Sequence, residues 1–376
     1  MFKTIEDNSD SIPVAQSSAP SATDILHFEK WLSLLGEKKA TDLHLTVGNV
    51  PMLRINGDIS PIMEEDVISG EKMQRIVEHL LSSEELARLE KDKQIILSRT
   101  LKKVMRFRMH IFYARGFFGI SLRHLSEDSA LLQDLPHSRA LLGAISASSG
   151  LYLIAGPFDS GKTSTLRSMI NEINNTQSKY IVTLEAPVEY LIPSNKSVIV
   201  QRDVGKDVKS FSEGLSCLHD EDADVIVIGY IEDADVLEKV LNLSASGRLC
   251  IAIASGNGVV SVLETLRDLV DEEDRIRVLH MLSDAILGIS YQLILSKMGG
   301  GRTLVASTMI ATNPIKSLIR EGKFASIANI MHTSREEGMI TLDKALAQAV
   351  QQGVIDLKSA QQNSSDINQF NIMLSH

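Results

Sequence analysis

Residues 150–174 read GLYLIAGPFDSGKTSTLRSMINEIN and are the most informative segment of the chain. An apolar run, Leu151–Ala155, leads into the motif GxxxxGK[ST] at Gly156–Thr163, and a segment with helical spacing follows. The glycines let backbone N–H groups wrap a phosphate, and the amino end of the helix adds partial positive charge. A strand, this loop and a helix in that order predict a nucleotide-phosphate site, the alternative being a purely structural loop.

The residues of this loop have different expected roles. Lys162 would reach the β- and γ-phosphates of a nucleotide, and the Thr163 hydroxyl would ligate Mg²⁺. Asp159 is unusual, because it brings a carboxylate into a loop that holds a polyanion. Aspartate tolerates the left-handed conformation, so the loop can keep its shape, but an inward carboxylate would repel phosphate; the sequence leaves its direction open. The expected nucleotide-binding residues are Gly156, Pro157, Phe158, Asp159, Ser160, Gly161, Lys162, Thr163 and Ser164.

Short apolar runs continue beyond the loop, at 181–184, 225–228 and 249–254, with helical segments between them. Continuous apolar strands that alternate with helices are typical of a parallel sheet covered on both faces. From about 274 to 353 the pattern predicts mostly helix. We therefore expect an α/β domain with a helical carboxyl-terminal part.

The chain before residue 150 has a different character. Residues 1–23 are rich in Ser, Ala, Asp and Pro without periodicity, which predicts a disordered tail. Strand-like runs at 42–47 and 52–55 and a helical pattern over 70–91 predict a small α+β module. The expected division is a tail at 1–23, an α+β domain at 24–130, a linker at 131–149, a P-loop domain at 150–353 and a tail at 354–376.

Composition and charge argue against several classes of protein. The chain has 376 residues, and 38 Lys and Arg against 48 Asp and Glu give a formal net charge of −10. Broad electrostatic capture of nucleic acid is therefore not expected. Cys217 and Cys250 form no CxxC pair, which argues against a zinc site and favours a reducing compartment. The amino terminus lacks a signal-peptide pattern and no apolar run reaches ~18 residues, so we expect a cytoplasmic protein.

Longer stretches between about residues 26 and 350 carry a family resemblance. They include ATDLHLTVGNVPMLRINGDI at 40–59, MRFRMHIFYARGFFGISLRHL at 105–125, TLEAPVEY at 183–190 and NPIKSLIREGK at 313–323. With the phosphate loop, these stretches resemble the retraction ATPases of bacterial type IV pili, the PilT/PilU type within the secretion-ATPase superfamily. NPIKSLIREGK resembles the signature that separates retraction ATPases from extension and secretion relatives.

The resemblance implies an architecture and a set of partners. It implies a PAS-like amino-terminal α+β domain followed by a RecA-like P-loop NTPase domain, with ATP and Mg²⁺ as cofactors. It also implies a hexameric ring, formed by this chain alone or with a retraction ATPase paralogue. Such a ring would lie in the cytoplasm at the base of the pilus, against an inner-membrane platform protein.

Three residues outside the loop are implied by the resemblance to serve catalysis. Glu185 matches a general-base glutamate, and it follows an apolar strand, so its carboxylate would lie at a strand's carboxyl end, where ligands bind in open α/β sheets. Arg108 and Arg123 match arginines that approach the triphosphate from the amino-terminal domain. Without the resemblance, Glu185 is more simply a solvated turn residue, and the strand arginines are solvated or structurally paired.

Several positions depart from the family pattern, and the departures lie in the catalytic boxes. Tyr230 stands where the family has Glu, and Ser255 stands where it has the His of the histidine box. The other departures are Asp159 for Gly, Ala186 for Asp, and Asp220 and Glu232 for Arg. The apolar strands between the boxes carry no inserted charges, so we expect a folded protein whose catalytic site is altered.

These departures favour an accessory or pseudo-ATPase role in pilus retraction. Nucleotide binding depends mainly on the phosphate loop, whereas the loss of one positioned acid–base group costs hydrolysis ~10²–10⁴-fold. Two alternatives stay open on the sequence. One is a divergent but active motor that uses Glu185 as its base and drives twitching motility, and the other is a non-catalytic regulator that senses nucleotide.

Overall fold

The structure, a computed structural model, describes residues 22–55, 57–101, 105–126, 130–333 and 338–374. The chain forms two compact units. The first holds the described residues up to Ile96 together with Met109–His124, and the second holds Leu97–Arg108 and the described residues from Leu125 onward. Within the described residues, no helix is both long enough and apolar enough to cross a membrane.

The amino-terminal sheet has the strand order β3-β2-β1-β6-β5-β4, in which β1 pairs antiparallel with β2 and β6. Most of it belongs to the first unit, whereas Leu97–Leu101, Met105–Arg108 and Leu125 of its strands belong to the second. The first helix of the first unit buries Phe28, Trp31, Leu32 and Leu35, the stripe that helical spacing produces. The elements are α1 (Ala22–Glu37), β1 (Asp42–Thr46), β2 (Met52–Ile55), β3 (Asp58–Pro61), α2 (Gly70–Leu80), α3 (Ser83–Asp92), β4 (Gln94–Leu101), β5 (Met105–Ala114) and β6 (Phe117–Leu125).

The helical pattern over 70–91 is two helices rather than one. The break follows from a capping box at Ser82, whose hydroxyl accepts from the Glu85 N–H while the Glu85 carboxylate accepts from the Ser82 N–H. In a continuous helix these two N–H groups would bond to backbone carbonyl groups. Here the side chains of Ser82 and Glu85 accept them instead, so a new helix, α3, begins after Ser82. The expected tail at 1–23 lies outside the described residues, except that α1 begins at Ala22.

The second unit contains a seven-stranded sheet with the order β13-β12-β7-β11-β10-β8-β9. All neighbouring strands are parallel except β12 and β13, which form an antiparallel hairpin. The fold class expected from the alternating apolar runs, a mostly parallel α/β sheet after a smaller amino-terminal unit, is confirmed. Its first elements are α4 (Ser138–Ile145), β7 (Gly150–Ala155), α5 (Lys162–Thr176), β8 (Tyr180–Glu185), β9 (Val198–Asp203), α6 (Phe211–Cys217), β10 (Val225–Ile228), α7 (Ala234–Ala245), β11 (Leu249–Ala254), α8 (Val259–Asp268) and α9 (Arg275–Ala285).

The prediction of mostly helix between 274 and 353 is wrong for its middle part. Strands β12 (Ile286–Ser296) and β13 (Arg302–Ile310) occupy it and extend the sheet by two members. Their apolar runs are long enough to be mistaken for a buried helix, but three glycines with positive φ, Gly299–Gly301, turn the chain between them. Helices follow: α10 (Asn313–Arg320), α11 (Ile327–Thr333), α12 (Leu342–Gln351), α13 (Leu357–Asn363) and α14 (Ile367–Leu374).

Two segments expected to be a linker and a tail are folded parts of the second unit. Within 131–149, helix α4 packs Leu141 and Ile145 into the core beside α5 and the sheet. Within 354–376, α14 buries Phe370, and the buried Asp343 carboxylate accepts the backbone N–H groups of two residues at 365 and 366. Helices α4 and α14 have eight residues each, which is little more than two turns, so each is too short to show a clear period.

Candidate nucleotide-binding site

The phosphate loop lies between the end of β7 and the start of α5, as the motif predicts. Gly161 precedes α5 with φ +84°, and Gly156 has φ +151°, both in the region that favours glycine. The first N–H groups of α5 have no acceptor within the helix, so they are available to an anion. Among the described residues, the buried Ser160 hydroxyl also lacks a hydrogen-bond partner. The loop therefore offers a glycine-lined cradle of donors that fits a phosphate group.

Lys162 is folded back onto its own loop. Its ammonium donates to the carbonyl oxygens of Gly156, at 2.9 Å, and Pro157, at 2.6 Å. Burial lowers the pKa of Lys162, and the nearby Asp159 carboxylate opposes that shift. Neutral carbonyls are weaker partners for an ammonium than phosphate oxygens are, so the side chain is poised to exchange them for a nucleotide.

Asp159 adopts the left-handed conformation, with φ +63°, and its carboxylate pairs with Arg302. The distance from Arg302 Nη1 to Asp159 Oδ2 is 3.0 Å, and each side chain is about half exposed. The Asp159 side chain, whose direction the sequence leaves open, thus points toward Arg302, the first residue of β13. Arg302 is a site residue that sequence reasoning missed, because β13 was expected to be helix.

A buried polar cluster lies behind the loop. Gln292 of β12 donates from Nε2 to the Thr165 hydroxyl of α5, at 2.7 Å, and to His137 Nε2, at 3.1 Å. Burial lowers the pKa of His137 to about 4, so the ring is neutral at physiological pH and its Nε2 can accept. The cluster ties α5 to the sheet and to the segment before α4.

Glu185 ends β8, and its carboxylate is held in place from two sides. Oε1 accepts from the Thr183 hydroxyl at 2.7 Å and from Gln201 Nε2 at 3.1 Å. Thr183 and Gln201 are paired across β8 and β9, which puts both donors beside the carboxylate. Burial raises the pKa of Glu185, against the effect of these hydrogen bonds. A buried carboxylate with an elevated pKa can take up a proton, which is the property a general base needs.

The segment after Glu185 is fixed by Gln201 and Arg106, which belong to the same unit. Gln201 donates to the Tyr190 carbonyl at 2.8 Å and accepts from the Ile192 N–H at 2.8 Å. Arg106 donates to the Val188 carbonyl at 2.7 Å and to the Glu189 carbonyl. These hydrogen bonds hold the backbone that follows Glu185 in one conformation.

The two arginines implied as phosphate ligands are both ion-paired. Arg108 lies 2.7 Å from the Glu189 carboxylate, within the second unit. Arg123 lies 3.0 Å from the buried Asp42, within the first unit. This is the structural pairing that the sequence also allowed, and each guanidinium would have to exchange or share its carboxylate to meet a nucleotide.

The two positions at which the family resemblance implies replaced catalytic residues contact each other. Tyr230 follows β10 and Ser255 follows β11, and these strands are parallel neighbours. The Tyr230 and Ser255 hydroxyl groups form a hydrogen bond. Two hydroxyl groups therefore pair at the carboxyl edge of the sheet, at positions where the resemblance implies a carboxylate and an imidazole. Neither can serve as the base or the charged group that its counterpart supplies at neutral pH.

Burial raises the pKa of the Glu185 carboxyl, so removing its charge should change the stability of the protein. The folded-state pKa of this carboxyl lies above the unfolded value, so the ionised side chain costs folding free energy. That cost grows as the pH rises from the unfolded-state pKa to the folded-state pKa and is constant above it. Glu185→Gln keeps the acceptor oxygen for Thr183 and Gln201 and removes the charge. We expect thermal unfolding at pH 8 to shift up by roughly 2–4 °C, the shift that about 1 kcal/mol produces in a unit of this size.

The control is Glu232→Gln, because Glu232 is exposed at the same edge of the sheet. It should change the unfolding temperature little at any pH. The advantage of Glu185→Gln should shrink as the pH falls and the wild-type carboxyl protonates. A variant that is less stable than wild type at pH 8 would contradict the burial argument.

Comparison with known proteins points to one group. Residues 24–299 match the family model described as type II/IV secretion system protein. The chain is 28% identical over 333 residues to the type IV pilus retractation ATPase PilT of Pseudomonas aeruginosa, covering 89% of this chain and 96% of that protein. It is 27% identical over 350 residues to the type IV pilus ATPase PilU of the same organism, covering 93% and 91%.

A solved structure gives the same grouping. The crystal structure of the pilus retraction motor PilT with bound ADP superposes with a TM-score of 0.82 at 31% identity, covering 92% of this chain and 98% of that one. The similarity thus extends over both units and includes the phosphate loop.

Proposed function

We propose, because this chain belongs to the type IV pilus retraction ATPase family of type II/IV secretion system proteins, that it is an ATP-binding ring subunit of a pilus retraction machine. We propose further that it is an accessory member whose own hydrolysis is weak. The observation that carries the proposal is the contrast between a well-formed phosphate loop and the Tyr230–Ser255 hydrogen bond beside it.

Nucleotide binding is supported by the donors of the loop. The free N–H groups at the start of α5, the partnerless Ser160 hydroxyl and the ammonium of Lys162 match the needs of a phosphate chain. Thr163 would offer its hydroxyl to Mg²⁺, which neutralises phosphate charge when it is bound. The related pilus retraction motor PilT has bound ADP in its crystal structure, which supports the same ligand class here.

Weak hydrolysis is supported by the chemistry of the replaced positions. A Glu at 230 would help to polarise water and a His at 255 would carry a proton or a charge, whereas the Tyr and Ser hydroxyl groups are neutral and bonded to each other. Losses of this kind cost ~10²–10⁴-fold each and do not add simply. Glu185 keeps a carboxylate that would act as the base.

Such a subunit would have a role in a hexamer that also contains an active paralogue, or in a ring stacked on an active hexamer. Arg108 and Arg123 would act there on a nucleotide bound to a neighbouring subunit, once released from Glu189 and Asp42. The ring would work in the cytoplasm at the base of the pilus, against an inner-membrane platform protein. A second candidate is a slow but active motor, favoured by the two hydrogen bonds that orient Glu185.

Mixing the purified chain with an active retraction ATPase tests the accessory role. We expect native mass spectrometry to detect rings that contain both chains at micromolar concentration, and the ATPase rate per active subunit to rise. Arg123→Gln, combined with Asp42→Asn so that no buried carboxylate is left unpaired, should assemble but lose the stimulation. Arg88→Ala, at an exposed arginine of the same unit, should keep it. Failure to assemble would overturn the accessory role.

A further inference from the structure

Arg302 has a role that the phosphate-loop motif does not contain. We infer that Arg302 is the counter-charge that allows a phosphate loop containing Asp159 to accept a nucleotide. The inference rests on the proposed function, because it concerns the affinity of that nucleotide site. Arg302 acts in it as a positioning residue, through Asp159 rather than through the ligand.

The geometry places the two charges on separate, fixed elements. Asp159 is three residues before Lys162 in the loop, and its positive φ turns its side chain to Arg302 Nη1 at 3.0 Å. Arg302 is the first residue of β13 and pairs in register with Ser296 at the end of β12. The hairpin is thus a scaffold that holds the guanidinium beside the loop.

The same hairpin forms the wall behind the loop. A Cβ built on Gly161 would lie 3.2 Å from the Cδ1 of Ile294, and one built on Gly156 would overlap the backbone oxygen of Gln292. Loop and hairpin are therefore closely packed at two points. This packing keeps the backbone of the loop close to the hairpin, and therefore keeps the positions that carry Asp159 and Arg302 within reach of each other.

The charge argument explains why the pair affects affinity more than stability. Both side chains are about half exposed, and a surface pair of this kind contributes little to folding. A carboxylate in the loop, however, repels a triphosphate across a distance shorter than the screening length. Arg302 cancels that repulsion, and it also competes with Lys162 for the carboxylate, leaving the ammonium free for phosphate.

A double-mutant cycle on the full-length protein tests this role. Titration calorimetry with MgADP and with a non-hydrolysable MgATP analogue compares wild type, Arg302→Gln, Asp159→Asn and the double variant. Asparagine tolerates the left-handed conformation, so Asp159→Asn removes charge without changing the loop. We expect Arg302→Gln to weaken binding about tenfold at low salt, and less at high salt, because the Asp159 carboxylate then repels the triphosphate without the guanidinium beside it.

The Asp159→Asn variant and the double variant show whether Arg302 acts through Asp159 or contacts phosphate directly. Asp159→Asn should bind as tightly as wild type or more tightly, and the double variant should recover to the level of Asp159→Asn. A loss of the same size on Arg302→Gln in both backgrounds would mean that Arg302 contacts phosphate directly and would overturn the inference. No loss in either background would overturn it as well.

Arg277→Gln is the matched control. Arg277 is also about half exposed and ion-paired, to Glu238 at 2.8 Å and Asp274 at 3.0 Å, and lies on α9 of the same unit. It should leave affinity unchanged, and thermal unfolding should show all variants folded. Wild type that binds no nucleotide would overturn the proposed function itself, whereas wild type that binds with affinity indifferent to Arg302 would overturn only this inference.

Discussion

Replacing Lys162 by Ala is expected to weaken the binding of MgADP and of a non-hydrolysable MgATP analogue at least ~100-fold, or about 3 kcal/mol. The Lys162 ammonium is a charged donor of the loop, and in the free protein its hydrogen bonds go to the neutral carbonyl groups of Gly156 and Pro157. A charge-assisted bond to phosphate, in a partly buried place, is therefore lost without a substitute. Titration calorimetry measures the change directly.

The control for this variant is Lys209→Ala. Lys209 lies in the same unit, its side chain is almost fully exposed, and its ammonium lies 3.6 Å from the Glu213 carboxylate. Its removal changes the net charge by the same amount, and affinity should stay within about twofold of wild type. If both variants weaken binding equally, the effect is one of overall charge, and Lys162 has no special place in the site.

Replacing Gly156 by Ala is expected to produce the largest loss of stability among the loop variants. The added Cβ would overlap the Gln292 backbone oxygen and the Ser160 hydroxyl, and the φ of +151° is itself unfavourable for alanine. Overpacking and backbone strain each cost about 1–3 kcal/mol, so we expect a loss of roughly 3 kcal/mol or more. Thermal unfolding should fall by roughly 6–12 °C, and nucleotide binding should be lost with the loop's shape.

Gly258→Ala separates the two causes. Gly258 has nearly the same φ, +155°, but no atom lies within 4 Å of a Cβ built on it. It should therefore show the cost of backbone strain without the clash. Equal destabilisation by the two variants would mean that the close approach of the loop to β12 does not constrain the fold.

The sequence predicts the centre of the second unit well, for a physical reason. Strands β7, β10 and β11 are buried on both faces, so each is a continuous apolar run, and the glycine-rich motif fixes where α5 begins. The hairpin of β12 and β13 was missed because its runs are long and mix polar with apolar residues. Thr308 and Gln292 are both buried there, and Gln292 makes polar contacts with Thr165 and His137 that no hydropathy pattern reports.

The sequence predicts those site residues whose role follows from the continuous segment in which they lie. The loop residues and Glu185 follow from motif and resemblance, and the structure places Glu185 at the end of β8 as expected. Arg302 and Gln201 were not predictable, because each becomes a neighbour only through the order of strands in the sheet. The Tyr230–Ser255 contact has the same origin, since 25 residues separate them and adjacent parallel strands join them.

The turnover of the purified chain tests the central claim most directly. ATP hydrolysis should be measured side by side for this protein, its Lys162→Ala variant and an active retraction ATPase, with MgADP binding measured on the same samples. We predict that this protein binds MgADP but hydrolyses ATP at least ~100-fold more slowly than the active enzyme, as the loss of positioned acid–base groups implies. Turnover equal to that of the active enzyme, and abolished by Lys162→Ala, would contradict the account.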